Sequence, residues 1–318
     1  MSELPQTTVS IHQVSDELDE RTLSDVRQLA KDSLNVDGNP PLSDQTLVAL
    51  AADDASENII TLLAEVGEGT ESVLAGIAVV VREAADQPWV LEVVVHPDHR
   101  KTGIGRALLT KLSELIDLPQ AQAWAHGDHE AAKKLASRIG MSRVRELYRM
   151  RREGTDFLEE APVDRRISVR SFRVGEDEPS WLESNSQAFV HHPEQGSLTL
   201  SDLEARMAED WFDPSGFFLA FNAEQKLVAY HWTKIHQSSG ESIRPTGEVY
   251  VVGVVPEAQG MGLGRSLTTT GINYLLEQGV DAVILYVDAE NEAAVKLYRS
   301  LGFTLWDADI MYGPQPID

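Results

Sequence analysis

Two tandem α/β domains, each built on a mixed (α+β-like) sheet, are predicted by three features of this 318-residue sequence. A strand-like run ends in a proline and a glycine-rich loop twice, in residues 91–116 and again in 248–275. A second segment also recurs, EAAKKLASRIGM at 130–141 and EAAVKLYRSLGF at 292–303. The recurrences lie 159 and 162 residues apart, which marks a duplicated domain, since solenoid repeats are far shorter. A chain of this length is also long for a single core.

Each half reads in the same order: strand, helical region, strands, glycine loop, helix, strand, helix and strand. The first half opens on VSIHQV (9–14), continues through the apolar VLAGIAVVV (73–81) and reaches LEVVV before its loop. A charged stretch with Gly and Pro, RREGTDFLEEAPVDRR (151–166), separates the halves. The expected domains are therefore 1–152 and 165–318. ISVRSF (167–172) restarts the strand pattern, and FFLAFN, KLVAYHWTKI and GEVYVVGV follow as consecutive strands. GRSLTTTGINYLLEQG has helical spacing and ends on Gly279, a residue suited to a helix C-terminus. DAVILYVD then reads as a buried strand, and NEAAVKLYRSLGF as a short helix ending at Gly302.

Composition narrows the function. The chain is 42% apolar and 25% charged, with 22 Gly and 14 Pro, as in soluble globular proteins. Its apolar runs are too short to span a bilayer, and its first ten residues have neither a basic nor an apolar region, so a cytoplasmic protein is expected. Without cysteine there is no disulfide framework, thiolate metal site or cysteine nucleophile. A net charge of −24 argues against nucleic acid, which needs a basic surface. Any anionic ligand must then be held locally, which draws attention to Arg100, Lys101, Arg106 and Arg265 beside the two loops.

The loop Gln259-Gly260-Met261-Gly262-Leu263-Gly264 sits directly before a helix. Glycines allow close backbone approach, and the first helical amides are unpaired donors at the positive end of the dipole, a combination suited to pyrophosphate. A Walker loop needs a Gly-Lys-Ser/Thr that is missing, and a dinucleotide fingerprint belongs after the first strand instead of mid-domain. The histidines His191, His192, His231 and His236 suggest a metal, but neighbours on an extended segment point apart and no cysteine supports them. No metal is expected.

The arrangement resembles the GCN5-related N-acetyltransferase (GNAT) family, whose acyl-CoA loop reads Arg/Gln-x-x-Gly-x-Gly/Ala. Both copies match, at Arg100–Gly105 and Gln259–Gly264, and Asn291 through Phe303 is similar to the family's C-terminal signature. The resemblance covers nearly the whole chain and implies acetyl-CoA as co-substrate. It assigns the pantetheine arm to Val252, Gly253 and Val254, and the pyrophosphate to Gln259, Gly260, Met261, Gly262, Leu263, Gly264 and Arg265. Asn291, Glu292, Ala293, Ala294, Val295 and Lys296 approach from the other side. In the first half the matching set is Val93, Val94, Val95, Lys101, Thr102, Gly103, Ile104, Gly105 and Arg106.

Acetyl transfer needs a neutral amine, a polarised thioester and a proton for the departing thiolate. The resemblance gives Glu248 the role of base and Tyr298 that of thiolate-protonating acid. In the first half Trp89 lies over Glu248, Ala136 over Tyr298 and His129 over Asn291. Its own acid, Glu92, aligns with Val251 and is expected to face away. The first half is therefore expected to keep a cofactor site and to lack catalysis.

Longer stretches, 185–221, 231–236 and 247–268, with VDGNPPLSD at 36–44, are similar to tandem acetyltransferases that act on cysteinyl-glucosaminyl-inositol and complete the thiol mycothiol. That similarity implies Asp44, Glu194, Lys234, Glu248 and Tyr286 as substrate contacts. A polyol carrying an ammonium suits such hydrogen-bonding and acidic groups. A monomer acting on small molecules, without nucleic-acid or membrane partners, is expected. The competing readings are acetylation of another amine, such as an aminosugar or a protein N-terminus, and an acyl-CoA sensor without turnover.

Overall fold

The computed structural model describes the chain except residues 1–8, 15–16, 52–57, 68–71, 83, 191–192, 238–244 and 315–318, and the side chains at 44, 193 and 194. In chain order the first elements are β1 (Val9–Val14), α1 (Glu20–Asp37), α2 (Asp44–Ala51), β2 (Ile59–Val66), β3 (Val73–Val81) and β4 (Val90–Val95). Then come α3 (Ile104–Leu112), β5 (Gln122–Ala125), α4 (Glu130–Arg138) and β6 (Met141–Glu153). The second set is β7 (Ser168–Ser171), α5 (Glu178–Ala188), α6 (Pro193–Gly196), α7 (Leu200–Met207), β8 (Phe217–Phe221), β9 (Leu227–His236) and β10 (Thr246–Val254). It closes with α8 (Leu263–Glu277), β11 (Ala282–Asp288), α9 (Glu292–Ser300) and β12 (Thr304–Pro314).

Two compact units result, Met1–Leu147 with Asp307–Asp318, and Tyr148–Trp306. This differs from the division at 152 and 165 that the duplicated sequence suggests, because each unit is completed by the last strand of the other half. In the first unit β1, β2, β3 and β4 are antiparallel, β4 and β5 are parallel, and β5 pairs with the C-terminal part of β12 through Ile310↔Ala125 and Tyr312↔Ala123. In the second, β7 to β10 are antiparallel, β10 and β11 are parallel, and β6 follows β11.

Helices cover both faces of each sheet, as an α/β layer requires. In the first unit Val26 and Leu29 of α1 and Leu50 of α2 pack on Leu63, Ile77, Val79 and Val94, while Ile104, Leu108 and Leu112 of α3 cover the other face. In the second, α8 and α9 bury Ile272, Leu275, Val295 and Tyr298 against Val249, Val283, Leu285 and Met150. Trp181 of α5 and Leu203 of α7 fill the opposite face with Phe217, Tyr230 and Trp232. Local signals place these helices: Asp19 caps α1 by accepting from the Thr22 amide at 2.7 Å, and Thr199 and Asp202 form a reciprocal capping box on α7.

Candidate active site

The parallel pairing of β10 with β11 runs from Thr246↔Ala282 to Val249↔Leu285 and stops, although both strands continue. The strands splay there, and Val252, Gly253 and Val254 line the gap with backbone that β11 does not pair. A bulge between Val249 and Val251 in the pairing with β9 marks the same place. Beyond it a single 3₁₀ turn, Pro256–Ala258, leads to Gly260 (φ 79°) and Gly262 (φ 78°), left-handed positions that favour glycine. Helix α8 starts at Leu263, and its first bond runs from the Ser266 amide to the Gly262 carbonyl. The amides of Leu263, Gly264 and Arg265 precede that bond and point out of the helix end. The Arg265 guanidinium donates to Ser300 Oγ at 2.7 Å, tying α8 to the end of α9.

Glu248 occupies the penultimate paired position of β10. Val249 packs under α8 and α9, so Glu248 points to the other face, with Lys234 opposite it on β9 and Ile284 opposite it on β11. Tyr286, two residues beyond Ile284, shares that face and is 40% exposed. Glu248 is 7% exposed, and its Oε2 meets His236 Nε2 at 2.5 Å. Lys234 Nζ lies 4.8 Å from the Trp211 ring and 5.5 Å from Tyr250, a cation–π seat beside the carboxylate.

Tyr298 is buried in α9 with its ring 5.9 Å from Phe303, and burial pushes its phenol up to about 12. It therefore stays protonated at neutral pH. Asn291 caps α9, with Oδ1 accepting from the Ala294 amide at 3.1 Å. Glu292 and Lys296 pair with each other at 2.9 Å on the exposed side of the same helix. Ala293, Ala294 and Val295 form its first turns. The side chains of Asp44 and Glu194, like His191 and His192, lie outside the described residues.

His231 and His236 do not converge, being five residues apart on β9 and hence on opposite faces. His231 is fully buried beneath α8, with Nδ1 at 2.8 Å from the Leu267 carbonyl, and burial lowers its pKa to about 4.

The first unit repeats the geometry. Pairing of β4 with β5 covers only Val90↔Gln122 and Leu91↔Ala123, so these strands also part. Lys101 takes the left-handed conformation of Gly260 (φ 64°), and Gly103 (φ 98°) starts α3 as Gly262 starts α8. Arg100 grips Asp37 with two bonds of 2.7 Å and the Val95 carbonyl at 3.1 Å. A cavity of about 800 Å³ opens between the strands, lined by Val93, Val94 and Val95 and by Lys101, Thr102, Gly103, Ile104, Gly105 and Arg106. That size suits a cofactor-sized ligand.

Glu92 corrects one expectation. Leu91 packs under α3, so Glu92 faces α1 and α2. Val251 packs in the α5 face, the Glu248 face, because the bulge after Val249 adds a residue. Glu92 and Glu248 therefore point to equivalent sides. The difference lies in what holds them: Glu92 is 2% exposed, accepts from the Ser43 amide at 3.1 Å and meets His126 Nε2 at 2.9 Å. His126 Nδ1 also lies 3.4 Å from Asp309, which accepts from the Gly127 amide at 3.0 Å. Burial opposes charge on both groups, but the hydrogen bonds to Asp309 and Glu92 outweigh it and raise His126 to about 9, while the bonds from His126 and Ser43 lower Glu92.

The imidazolium thus stabilises the first unit fully below its ordinary value of 6.5, and that contribution is lost as pH rises through about 9. Thermal unfolding followed from pH 6 to pH 10 is expected to show a falling midpoint over this window, and His126→Gln should flatten the slope.

Sequence reasoning, through the family resemblance, named Glu248, Lys234 and Tyr286 as substrate contacts, and the fold sets all three on one face. It missed the places of His236 and Tyr250, whose signal was present in the alternation of HWTKIH and EVYV but needed the register of β9 with β10 to be read, and that of Trp211, which lies between α7 and β8 outside both stretches.

Residues 179–303 match the sequence profile of the acetyltransferase (GNAT) family, and residues 57–149 that of the acetyltransferase (GNAT) domain. The chain is 51% identical over 304 residues to a mycothiol acetyltransferase of Paenarthrobacter aurescens, covering 93% of this chain and 94% of that protein. It is 45% identical over 303 residues to a mycothiol acetyltransferase of Thermomonospora curvata, covering 95% and 97%. In fold it is similar to a GCN5-related N-acetyltransferase from Sphaerobacter thermophilus, with a TM-score of 0.70 at 21% identity over 94% of each chain. A tandem GNAT protein from the clavulanic acid biosynthesis pathway also gives a TM-score of 0.70, at 15% identity over 97% and 100%.

Proposed function

This chain belongs to the mycothiol acetyltransferases of the GNAT family, and on that premise we propose that its second half transfers acetyl from acetyl-CoA to the cysteinyl amine of cysteinyl-glucosaminyl-inositol. The observation that carries this reading is the position of Glu248, a nearly buried carboxylate on the open face of β10 just before the strands part.

Glu248 takes a proton from the substrate ammonium, freeing the nitrogen lone pair. The amine attacks the thioester carbonyl held in the gap, a C–N bond forms and the C–S bond breaks. Tyr298, kept protonated by its burial, supplies the proton to the departing thiolate, and the second proton that the nitrogen sheds on forming the amide passes through solvent to restore the phenol. The amides ahead of α8 hold the pyrophosphate, with the helix dipole offsetting the protein's negative field. Lys234 and Tyr286 border the proposed amine site, and the family resemblance names Asp44 and Glu194 as further substrate contacts.

In the first half Glu92 already holds an internal cation, His126, at the equivalent face. Both oxygens of Glu92 accept from the Ser43 amide and one also meets His126, whereas His236 meets only Oε2 of Glu248, and Ala136 offers no acid in place of Tyr298. The cavity is proposed to hold acetyl-CoA without turnover. Among the described residues no helix is long and apolar enough to cross a membrane, and a soluble monomer in the cytoplasm is the proposed state. A product mass spectrum showing one acetyl group on the cysteinyl nitrogen tests the assignment.

A further inference from the structure

The face that carries Glu248 continues across the sheet to a feature the reaction has not used. In β6, Met150 and Tyr148 pack with Leu285 and Val287 beneath α9, so Arg149 and Arg151 alternate to the opposite face. That is the face of Ile284 and Tyr286, and so of Glu248. Both guanidinium groups lie over the ring of Trp306 in β12, at 4.2 Å and 4.9 Å from its centroid. Trp306 is 48% exposed and Tyr286 is 40% exposed, so both present aromatic surface on the face of Glu248.

Within the second unit the strand order from Glu248 outward is β10, β11, β6, β12. Neighbouring strands lie about 4.8 Å apart, so three steps carry the face about 14 Å from the carboxylate to Trp306. An acceptor anchored at Glu248 by its amine, with its remaining rings lying across the strands, reaches that distance.

We propose that the exposed surface of Trp306, which Arg149 and Arg151 hold in place from beside its ring, forms a subsite for the sugar and cyclitol rings of the acceptor. This rests on the acceptor assigned above and gives its polyol portion a place. Rings of this kind have apolar C–H faces and equatorial hydroxyls. The indole offers a flat apolar surface to the former, and the hydroxyl of Tyr286 on the same face can bond to the latter. Tyr286 sits between the two ends of the site and carries a hydroxyl of its own.

The test compares Trp306→Ala and Trp306→Phe with the unaltered protein on two acceptors, cysteinyl-glucosaminyl-inositol and cysteinamide, which has the amine without rings. Trp306→Ala is expected to raise KM for the full acceptor about 10-fold, and Trp306→Phe to recover part of it. Turnover of cysteinamide and KM for acetyl-CoA are expected to stay unchanged, which also reports that the fold is intact. An unchanged KM for the full acceptor overturns the subsite, and so does an equal loss on cysteinamide. If the unaltered protein leaves cysteinyl-glucosaminyl-inositol unmodified, the acceptor assignment itself fails, a result distinct from either.

Discussion

Glu248→Gln is expected to lower kcat on the cysteinyl acceptor by about 10²- to 10⁴-fold, the span that a positioned general base contributes. The substitution preserves volume and one hydrogen-bonding oxygen but removes the proton acceptor. KM for acetyl-CoA should hold, because the proposed co-substrate contacts, the backbone of Val252–Val254 and the loop from Gln259 to Arg265, do not include that side chain. His236 meets Glu248 at Oε2 and is half-exposed at the mouth of the site, so it leaves the other oxygen to face the amine. A variant with wild-type turnover would remove Glu248 as base. It would also revive the reading of the chain as an acyl-CoA sensor or move the chemistry to the first half.

The second large effect comes from one methyl group. Gly253→Ala places a Cβ within 2.6 Å of three atoms of Tyr230, its direct cross-strand neighbour. Tyr230 cannot swing aside: it is fully buried, its hydroxyl donates to Asn185 at 2.6 Å and its ring meets Trp181 edge-on at 5.5 Å. Strand β10 must therefore shift exactly where it borders the splay. Overpacking of this kind costs about 1–3 kcal/mol, several degrees of unfolding temperature in a unit of this size. KM for acetyl-CoA should rise in parallel. The matching residue in the first half is Val94, which sits opposite Ile77 instead of a tyrosine, so the duplicated position tolerates a side chain there.

Much of this was legible in the sequence, for identifiable reasons. Glycine loops reveal themselves because left-handed backbone before a helix leaves few alternatives, although Lys101 shows that the conformation survives without glycine. The duplicated order of elements follows from two recurrences at nearly one offset. The exchange of terminal strands was not legible. β6 and β12 end equivalent repeats, and either pattern of apolar residues can complete either sheet. The facing of Glu92 was misread because strand alternation was counted through residues where β10 carries a bulge, and a bulge has no signature in VYVVGV. His236 was weighed as a metal ligand, whereas the register of β9 with β10 sets it on a carboxylate.

Asn291 illustrates a different limit. Its place in the family signature points to the co-substrate, while its side-chain oxygen is occupied in capping α9. One residue thus caps the helix that carries Tyr298, the proposed acid, whatever else its amide does.

The most direct measurement is a mass spectrum taken after the protein, acetyl-CoA and cysteinyl-glucosaminyl-inositol are mixed, beside a sample without protein. The expected product carries one acetyl group, located by fragmentation on the cysteinyl nitrogen and formed well above the protein-free rate. An unmodified acceptor, with acetyl-CoA bound to the protein, would contradict the assignment and leave only the fold and its cofactor loops standing.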